Sequence, residues 1–233
     1  MVGDKTAQRE HLFATLVSGR PNPEAARLED QTRKIGGRGQ VKGRPRRALY
    51  TPSRLEVVDR LNEEGLLPAI FFIFSRNGCN EAAQSCLKQG LRLTSPDERK
   101  RIQEIIASRL GDIDDDDLDV LGYPQFVAQL EAGIAAHHAG LVPPFKETVE
   151  ACFVEGLVKI VFATETLAVG INMPARSVVI EKLSKFTGEH HEFLTAGEFT
   201  QLTGRAGRRG LDDKGHAVVL WNPFVTFEQV AGL

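Results

Sequence analysis

This chain of 233 residues has little cysteine, no long apolar run and almost no net charge. Its three cysteines, Cys79, Cys86 and Cys152, show no CxxC spacing. An odd count without a secretory leader favours free, buried thiols in a reducing compartment. No apolar stretch approaches the length of a membrane span, so no membrane partner is expected. The net charge of −2 gives no overall basic signature for nucleic acid. These absences together predict a cytoplasmic globular protein.

The segment QLTGRAGRRG at residues 201–210 carries the strongest chemical signal in the chain. Ahead of it, Thr195 and Glu198 have the spacing of a capping box, which predicts the start of a helix. Gly210 is placed to end that helix. We therefore expect one helix from Thr195 to Gly210.

On such a helix, Gln201, Arg205 and Arg208 would share one face, since each residue advances by about 100°. The planar fork of arginine suits phosphate oxygens, and charge on a transferring phosphoryl group needs such cations. A solvated basic face is the alternative interpretation.

The segment KIVFATETLAVGINMPA at residues 159–175 strengthens the first interpretation. Its apolar start predicts a buried strand that opens into a polar, glycine-containing loop, where open α/β sheets bind ligands. FATETLAVGINMPA followed by QLTGRAGRRG resembles motifs V and VI of superfamily-two helicases. The similarity is to the Ski-like DExH branch, which includes exosome-associated RNA helicases and the actinobacterial HelY type. FIFSR at residues 72–76 resembles motif IV, AAHHAGLVPP at residues 135–144 is a further match, and the resemblance covers about residues 50–223.

The resemblance implies an α/β, RecA-like domain, with a mostly parallel sheet and helices on both faces. It would be the second motor domain of an ATP-dependent helicase. Arg205 and Arg208 would be arginine fingers that reach the γ-phosphate of ATP, and Gln201 would help to order that site. Gly170 and Asn172 would face the nucleotide, although DEAD-box relatives usually have Asp at the position of Asn172.

The same resemblance implies a nucleic-acid site beside the nucleotide. Ser75, Arg76 and Thr164 would contact the nucleic-acid backbone, which positions a strand without reading its sequence. Glu165 and Thr166 lie between the two sites and would couple them. RNA is favoured over DNA, because the nearest resemblance is to RNA-processing helicases.

Gly188 lies between two arms that alternate polar and apolar residues, which predicts a β-hairpin over residues 182–194. In processive Ski-like and archaeal relatives a hairpin at this place acts as a strand-separating pin. We expect Phe186 at its tip to stack on the last base pair. An ordinary surface hairpin is the alternative.

Two motifs that ATP hydrolysis requires are missing: the chain has neither a GxxxxGK[ST] P-loop nor a DExH box. ATP and Mg²⁺ would therefore be held mainly by a first RecA-like domain, and we expect a part of a longer protein that does not turn over ATP by itself. Two other classes remain open: a non-catalytic nucleic-acid-binding module, and an interaction scaffold with a RecA-like fold.

The remaining segments suggest the domain organisation. Residues 1–30 have weak helical periodicity and read as the frayed tail of a preceding region, and residues 224–233 read as the start of a following one. Residues 31–54 carry eight Lys/Arg, four glycines and no acid, which predicts a flexible basic linker, either solvated or touching phosphates. The RecA-like domain would occupy residues 55–223.

Within that domain, strands are predicted at residues 69–74, 134–139, 160–163, 177–180 and 215–221, and helices at residues 77–89 and 95–110. The six aspartates among residues 112–119 lack the EF-hand ligand spacing and are interpreted as a solvated acidic insert. His137 and His138 are adjacent on a strand and so point to opposite faces, where they cannot easily share a metal ion.

Overall fold

A computed structural model describes residues 1–4, 9–33, 49–168, 173–186 and 189–233. The first part of the chain contains β1 (Val2–Asp4), β2 (Arg9–His11), β3 (Leu16–Val17), β4 (Arg20–Pro21), α1 (Pro23–Arg33) and β5 (Leu49–Tyr50). The following elements are α2 (Arg54–Glu63), β6 (Ala69–Phe72), α3 (Arg76–Lys88), α4 (Pro96–Leu110), α5 (Asp115–Val120), α6 (Tyr123–Glu131), β7 (Ile134–His137), α7 (Pro143–Val154), β8 (Ile160–Ala163), β9 (Ser177–Ile180), β10 (Ser184–Phe186), β11 (His191–Phe193), α8 (Ala196–Thr203), β12 (His216–Val219) and α9 (Phe227–Ala231).

A five-stranded parallel sheet, in the order β12-β9-β6-β8-β7, forms the centre of the protein. Its middle strands are apolar runs buried along their whole length, as strands covered on both faces must be. Ile102 and Val149 cover one face of the sheet from α4 and α7, while Leu61 and Cys79 cover the other from α2 and α3. The expected α/β architecture is confirmed.

The predicted strands and capping boxes are confirmed, with small differences in length. Strands β6, β7 and β12 are shorter than the patterns at residues 69–74, 134–139 and 215–221. Ser95 caps α4 and Thr195 caps α8, each in a reciprocal pair with the glutamate three residues later. Shortening at the carboxyl ends leaves residues such as Phe74 and His138 in the loops that follow the strands.

The expectation of a frayed, weakly helical tail at residues 1–30 is only partly right: α1 is helical from Pro23, but the described residues ahead of it include four short strands. Strand β1 pairs antiparallel with both β2 and β5. The amino group of Met1 donates to the Val219 carbonyl at 2.6 Å, and the Trp221 amide donates to the Met1 carbonyl at 2.7 Å. Met1 thus supplies hydrogen-bond partners to the otherwise open edge of the sheet beside β12.

The acidic run at residues 112–119 contains the short helix α5, Asp115–Val120, which the sequence interpretation did not include. Acidic side chains near a helix N-terminus are favourable partners of the helix dipole, which explains why the run tolerates helix. Most of the predicted basic linker, residues 34–48, lies outside the described residues.

Candidate nucleotide and nucleic-acid interface

The motif IV residues lie where β6 ends and α3 begins. Ser75 is the N-cap of α3, and its hydroxyl accepts the Gly78 amide at 3.1 Å. Ser75 and Arg76 are both exposed. The Arg76 stem runs along Gly140, where an added Cβ would lie 3.6 Å from Arg76 Cδ. Motif IV therefore meets the loop after β7 at the carboxyl edge of the sheet.

Thr164 directly follows β8 at the same edge. Its amide donates to the His137 carbonyl at 3.3 Å, and its hydroxyl lies 2.9 Å from the Thr166 hydroxyl. Thr164 is buried, while Glu165 and Thr166 are exposed on a 3₁₀ turn, Glu165–Ala168. Gly170 and Asn172 lie outside the described residues, so their expected nucleotide contacts stay predictions.

The expectation of one helix through Gly210 is wrong. Helix α8 ends at Thr203, with Gly204 as its C-cap. Gln201 is exposed in the last helical turn, whereas Arg205 and Arg208 lie in the loop beyond it. The three side chains therefore do not share a helix face.

Backbone pairing with motif V explains why the helix stops. The Ala175 amide donates to the Arg205 carbonyl at 3.0 Å, and the Gly207 amide donates to the Ala175 carbonyl at 2.7 Å. These bonds form a parallel bridge between Ala175 and Ala206. Gly207 has a φ of 94°, which favours glycine because it has no Cβ. The motif VI loop is thus attached to the end of motif V.

The loop is also packed closely against the residue that leads into β12. A Cβ added to Gly215 would lie 2.3 Å from the carbonyl carbon and oxygen of Ala206. Only glycine fits there without a shift of the backbone. The course of the arginine-bearing loop therefore depends on glycine at this position.

Arg208 is held by a carboxylate that the sequence interpretation did not include. Asp212 accepts Arg208 Nε at 2.8 Å with one oxygen and Arg208 Nη2 at 2.8 Å with the other. It also accepts the Arg208 backbone amide at 3.0 Å, and only 2% of its side chain is exposed. The hydrogen bonds from Arg208 hold the pKa of Asp212 down at about 2, and the same pair raises the pKa of Arg208.

This side-on pairing has a chemical consequence for Arg208. A guanidinium has five N–H donors, and Asp212 occupies the edge formed by Nε and one Nη2 proton. The remaining donors, on Nη1 and the second Nη2 proton, form the outer edge of the guanidinium and point away from the carboxylate. Arg208 is therefore held in one orientation with donors left for a second anion.

The predicted hairpin is present. Strands β10 and β11 pair antiparallel, with Phe186 opposite His191 and their ring centroids 5.4 Å apart. Phe186 is 59% exposed. Lys185, on the other face of β10, forms ion pairs with Glu165 at 3.0 Å and Glu198 at 2.5 Å. Gly188 lies outside the described residues.

His137 and His138 point to opposite faces of the sheet, as expected. His137 Nε2 lies 2.9 Å from Glu150 on α7, and His138 Nε2 lies 2.9 Å from Asn80 on α3. The Gly140 amide donates to His138 Nδ1 at 3.1 Å. Nδ1 must therefore accept, so the ring proton is on Nε2.

Burial lowers the pKa of both imidazoles. For His137 desolvation outweighs the opposing effect of Glu150, and for His138 the neighbouring His137, Arg76 and Lys146 lower the pKa further. Both rings are neutral hydrogen-bonding groups that fix the loop after β7. No cluster of metal-ligating side chains occurs among the described residues.

The three cysteines are buried free thiols, as expected. Desolvation raises the pKa of Cys79 and Cys152 to about 12 and that of Cys86 to about 11. Thiols in this protonated form are poor nucleophiles. In the described parts of the chain, no helix is long and apolar enough to cross a membrane.

A parallel α/β sheet with polar residues at its carboxyl edge, and with an arginine-bearing loop bridged to the residues that lead into β9, defines a RecA-like domain of the helicase type. Residues 94–210 match the family model "Helicase conserved C-terminal domain", and the chain belongs to this family.

Comparison with curated proteins gives the same result. The chain is 58% identical over 212 residues to "Probable helicase HelY" of Mycobacterium tuberculosis, a match that covers 90% of this chain and 23% of the relative. It is 37% identical over 183 residues to "Exosome RNA helicase MTR4" of Homo sapiens, covering 78% of this chain and 17% of the relative. It is also 37% identical over 202 residues to "DExH-box ATP-dependent RNA helicase DExH11" of Arabidopsis thaliana, covering 87% and 15%. The chain thus spans less than a quarter of the length of these relatives, and the Ski-like DExH resemblance is confirmed.

Sequence reasoning missed Asp212 and Lys185. Asp212 stands four residues after Arg208, a spacing at which opposite charges commonly pair, and that signal was available. The partners of Lys185 are 20 and 13 residues away in the chain, so only the fold brings them together.

We expect Gly215→Ala to destabilise this domain by about 1–3 kcal/mol, because the new methyl group must displace the Ala206 backbone. Denaturant unfolding of the chain measures the loss. Gly197→Ala is the matched control, since its Cβ would have only Thr195 Oγ1 within reach, at 4.0 Å, inside a helix. That variant should be neutral or slightly stabilising. Equal stability of the two variants would contradict the packing argument.

We expect the free energy of unfolding to fall as pH is lowered from about 7.5 to about 5.5. In the folded protein His137 and His138 take up protons only at lower pH than in the unfolded chain, because burial lowers their pKa values from the ordinary value of 6.5. Each imidazole contributes a slope of at most about 1.4 kcal/mol per pH unit.

Denaturant unfolding at several pH values measures this slope. His138→Gln should flatten it, while His191→Gln, which removes an exposed imidazole from the hairpin, should not. A slope that is the same in wild type and His138→Gln would show that His138 does not contribute.

Proposed function

We propose that this domain is the second motor domain of a longer ATP-dependent RNA helicase. The observation that carries the proposal is Arg208, which Asp212 holds side-on so that its outer edge can meet a phosphate. Two of the relatives described above bear names that include RNA helicase, which favours RNA over DNA. Domain boundaries near residues 55 and 223 and a cytoplasmic location belong to the same proposal.

ATP and Mg²⁺ would be held mainly by a first RecA-like domain, because this chain has neither a P-loop nor a DExH box. Closure of the two domains would bring Arg205 and Arg208 to the γ-phosphate, with Gln201 ordering the site and Gly170 and Asn172 beside the nucleotide. The positive charge of the arginines would stabilise the negative charge that develops on the transferred phosphoryl group. Preorganisation by Asp212 supports this role for Arg208, since no rotamer search is needed at closure.

The nucleic-acid strand would lie along the carboxyl edge of the sheet. Ser75 and Arg76 are exposed after β6, and Thr164 lies at the end of β8. The Ser75 hydroxyl and the Arg76 guanidinium suit contacts to phosphates and sugars, whereas Thr164 is buried and its hydroxyl lies 2.9 Å from that of Thr166. Glu165 and Thr166 would transmit the state of the nucleotide to this strand, because they lie on the turn that leads from Thr164 to the rest of motif V.

We expect Arg208→Ala to reduce the kcat of nucleic-acid-stimulated ATP hydrolysis by about 10³-fold, with nucleotide binding largely intact. The measurement uses the full-length protein that contains this domain. Arg209→Ala is the matched control, since Arg209 is the exposed neighbour of Arg208. Unchanged turnover in Arg208→Ala would mean that Arg208 has a structural role and would favour a non-catalytic binding module.

A double-mutant cycle with Asp212 sharpens this test. Asp212→Ala should lower kcat about tenfold in the wild-type background and much less in the Arg208→Ala background, because Asp212 acts through Arg208. The exposed Asp213 provides the control Asp213→Ala. Additive losses would contradict the positioning role of Asp212.

The hairpin would act as a strand-separating pin, with Phe186 and the tip at Gly188 meeting the duplex. We expect Phe186→Ser to slow duplex unwinding about tenfold at unchanged ATP hydrolysis, because one base–aromatic stacking contact is lost. Phe224 is 87% exposed outside the hairpin, so Phe224→Ser is the control. Equal unwinding rates in the two variants would favour an ordinary surface hairpin.

A further inference from the structure

Lys185 lies at the point where three parts of the site meet. It is the middle residue of β10, so its side chain leaves the strand on the face opposite to Phe186. Its ammonium group donates to Glu165 Oε2 at 3.0 Å and to Glu198 Oε1 at 2.5 Å. One cation therefore joins the hairpin to the motif V turn and to the helix that carries Gln201.

The two carboxylate partners of Lys185 are positioned in different ways. The second oxygen of Glu198, Oε2, accepts the Thr195 amide at 2.8 Å and the Thr195 hydroxyl at 2.8 Å. The capping box of α8 therefore holds Glu198 in place independently of its contact with Lys185. Glu165 begins the 3₁₀ turn immediately after Thr164, so it moves with the residue that would touch the strand.

The base of the hairpin is held separately from Lys185. Leu183 and Leu194 are both buried, and the Leu194 amide donates to the Leu183 carbonyl at 2.8 Å. Above this anchor, the exposed Phe186 and Phe193 lie on the outer face. The base of the hairpin is anchored in the core. The ion pairs of Lys185 with Glu165 and Glu198 can therefore set the angle of strands β10 and β11 relative to motifs V and VI.

We propose that Lys185 is a positioning residue that couples the hairpin to the ATP-driven movement of motifs V and VI, so that each hydrolysis event advances the tip against the duplex. The inference rests on the proposed helicase function. It assigns Lys185 no contact with ATP or nucleic acid. The side chains of these ion pairs are 22–50% exposed, and ion pairs that solvent reaches contribute little to global stability, so the main effect of removing the ammonium is on coupling rather than on folding.

The test uses the full-length protein and measures duplex unwinding and ATP hydrolysis under the same conditions. Lys185→Met keeps the length of the side chain and removes its charge. We expect the number of base pairs separated per ATP to fall about fivefold or more, with kcat for ATP hydrolysis within about twofold of wild type. Lys185→Arg keeps a cation within reach of both carboxylates and should restore most of the ratio.

Lys88→Met is the control for the loss of an exposed positive charge, since Lys88 lies at the end of α3, outside the hairpin. Hydrogen–deuterium exchange gives a second readout: amides of residues 184–193 should exchange faster in Lys185→Met, and those of β6 and β8 should not change.

Three outcomes separate the two hypotheses. Fewer base pairs separated per ATP in Lys185→Met, together with faster exchange of the hairpin amides, supports coupling through Lys185. An unchanged number of base pairs per ATP overturns this coupling but leaves the proposed helicase function intact. A wild-type protein that hydrolyses ATP but separates no duplex would instead refute the proposed function on which the link rests.

Discussion

The backbone bridge between Ala175 and Ala206 is the constraint on which the rest of the site depends. It ends α8 at Thr203 and turns the following residues along the end of motif V. The bridge needs a close approach that a side chain at Gly215 would prevent. Arg208 therefore owes its position to main-chain hydrogen bonds, which are directional and hard to replace. A side-chain contact alone would leave the loop far more freedom.

The parallel sheet supplies the second level of organisation. All five strands end at the same edge, so short loops bring together residues that are far apart in sequence. Ser75 follows β6, His138 follows β7 and Thr164 follows β8. The Thr164 amide bonds to the carbonyl at the end of β7, which ties neighbouring loops to one another. The residues that follow β6, β7 and β8 therefore lie side by side along the sheet edge, and the hairpin follows β9.

The sequence predicts the sheet strands, the capping boxes and the hairpin because each depends on residues close together in the chain. Apolar runs such as Ile160–Ala163 and the Thr195–Glu198 pair are local signals. The course of the motif VI loop is not local. Helical periodicity continues through Gly210 in the sequence, but the backbone groups of Arg205 and Gly207 form hydrogen bonds with Ala175 instead of continuing the helix. The ordered segment beside β12 was missed for the same reason, since its partners are more than 200 residues away.

The ion pairs of the site and its two buried histidines differ in their response to pH. Hydrogen bonds hold the pKa values of Asp212 and Glu198 at about 2, and those of Arg208 and Lys185 are raised. Neither ion pair titrates between about pH 5 and pH 8, so neither contributes to pH dependence there. The neutral rings of His137 and His138 have lowered pKa values and must be protonated when the chain unfolds in acid. Acid therefore weakens the loop after β7 first, while Arg208 stays paired with Asp212.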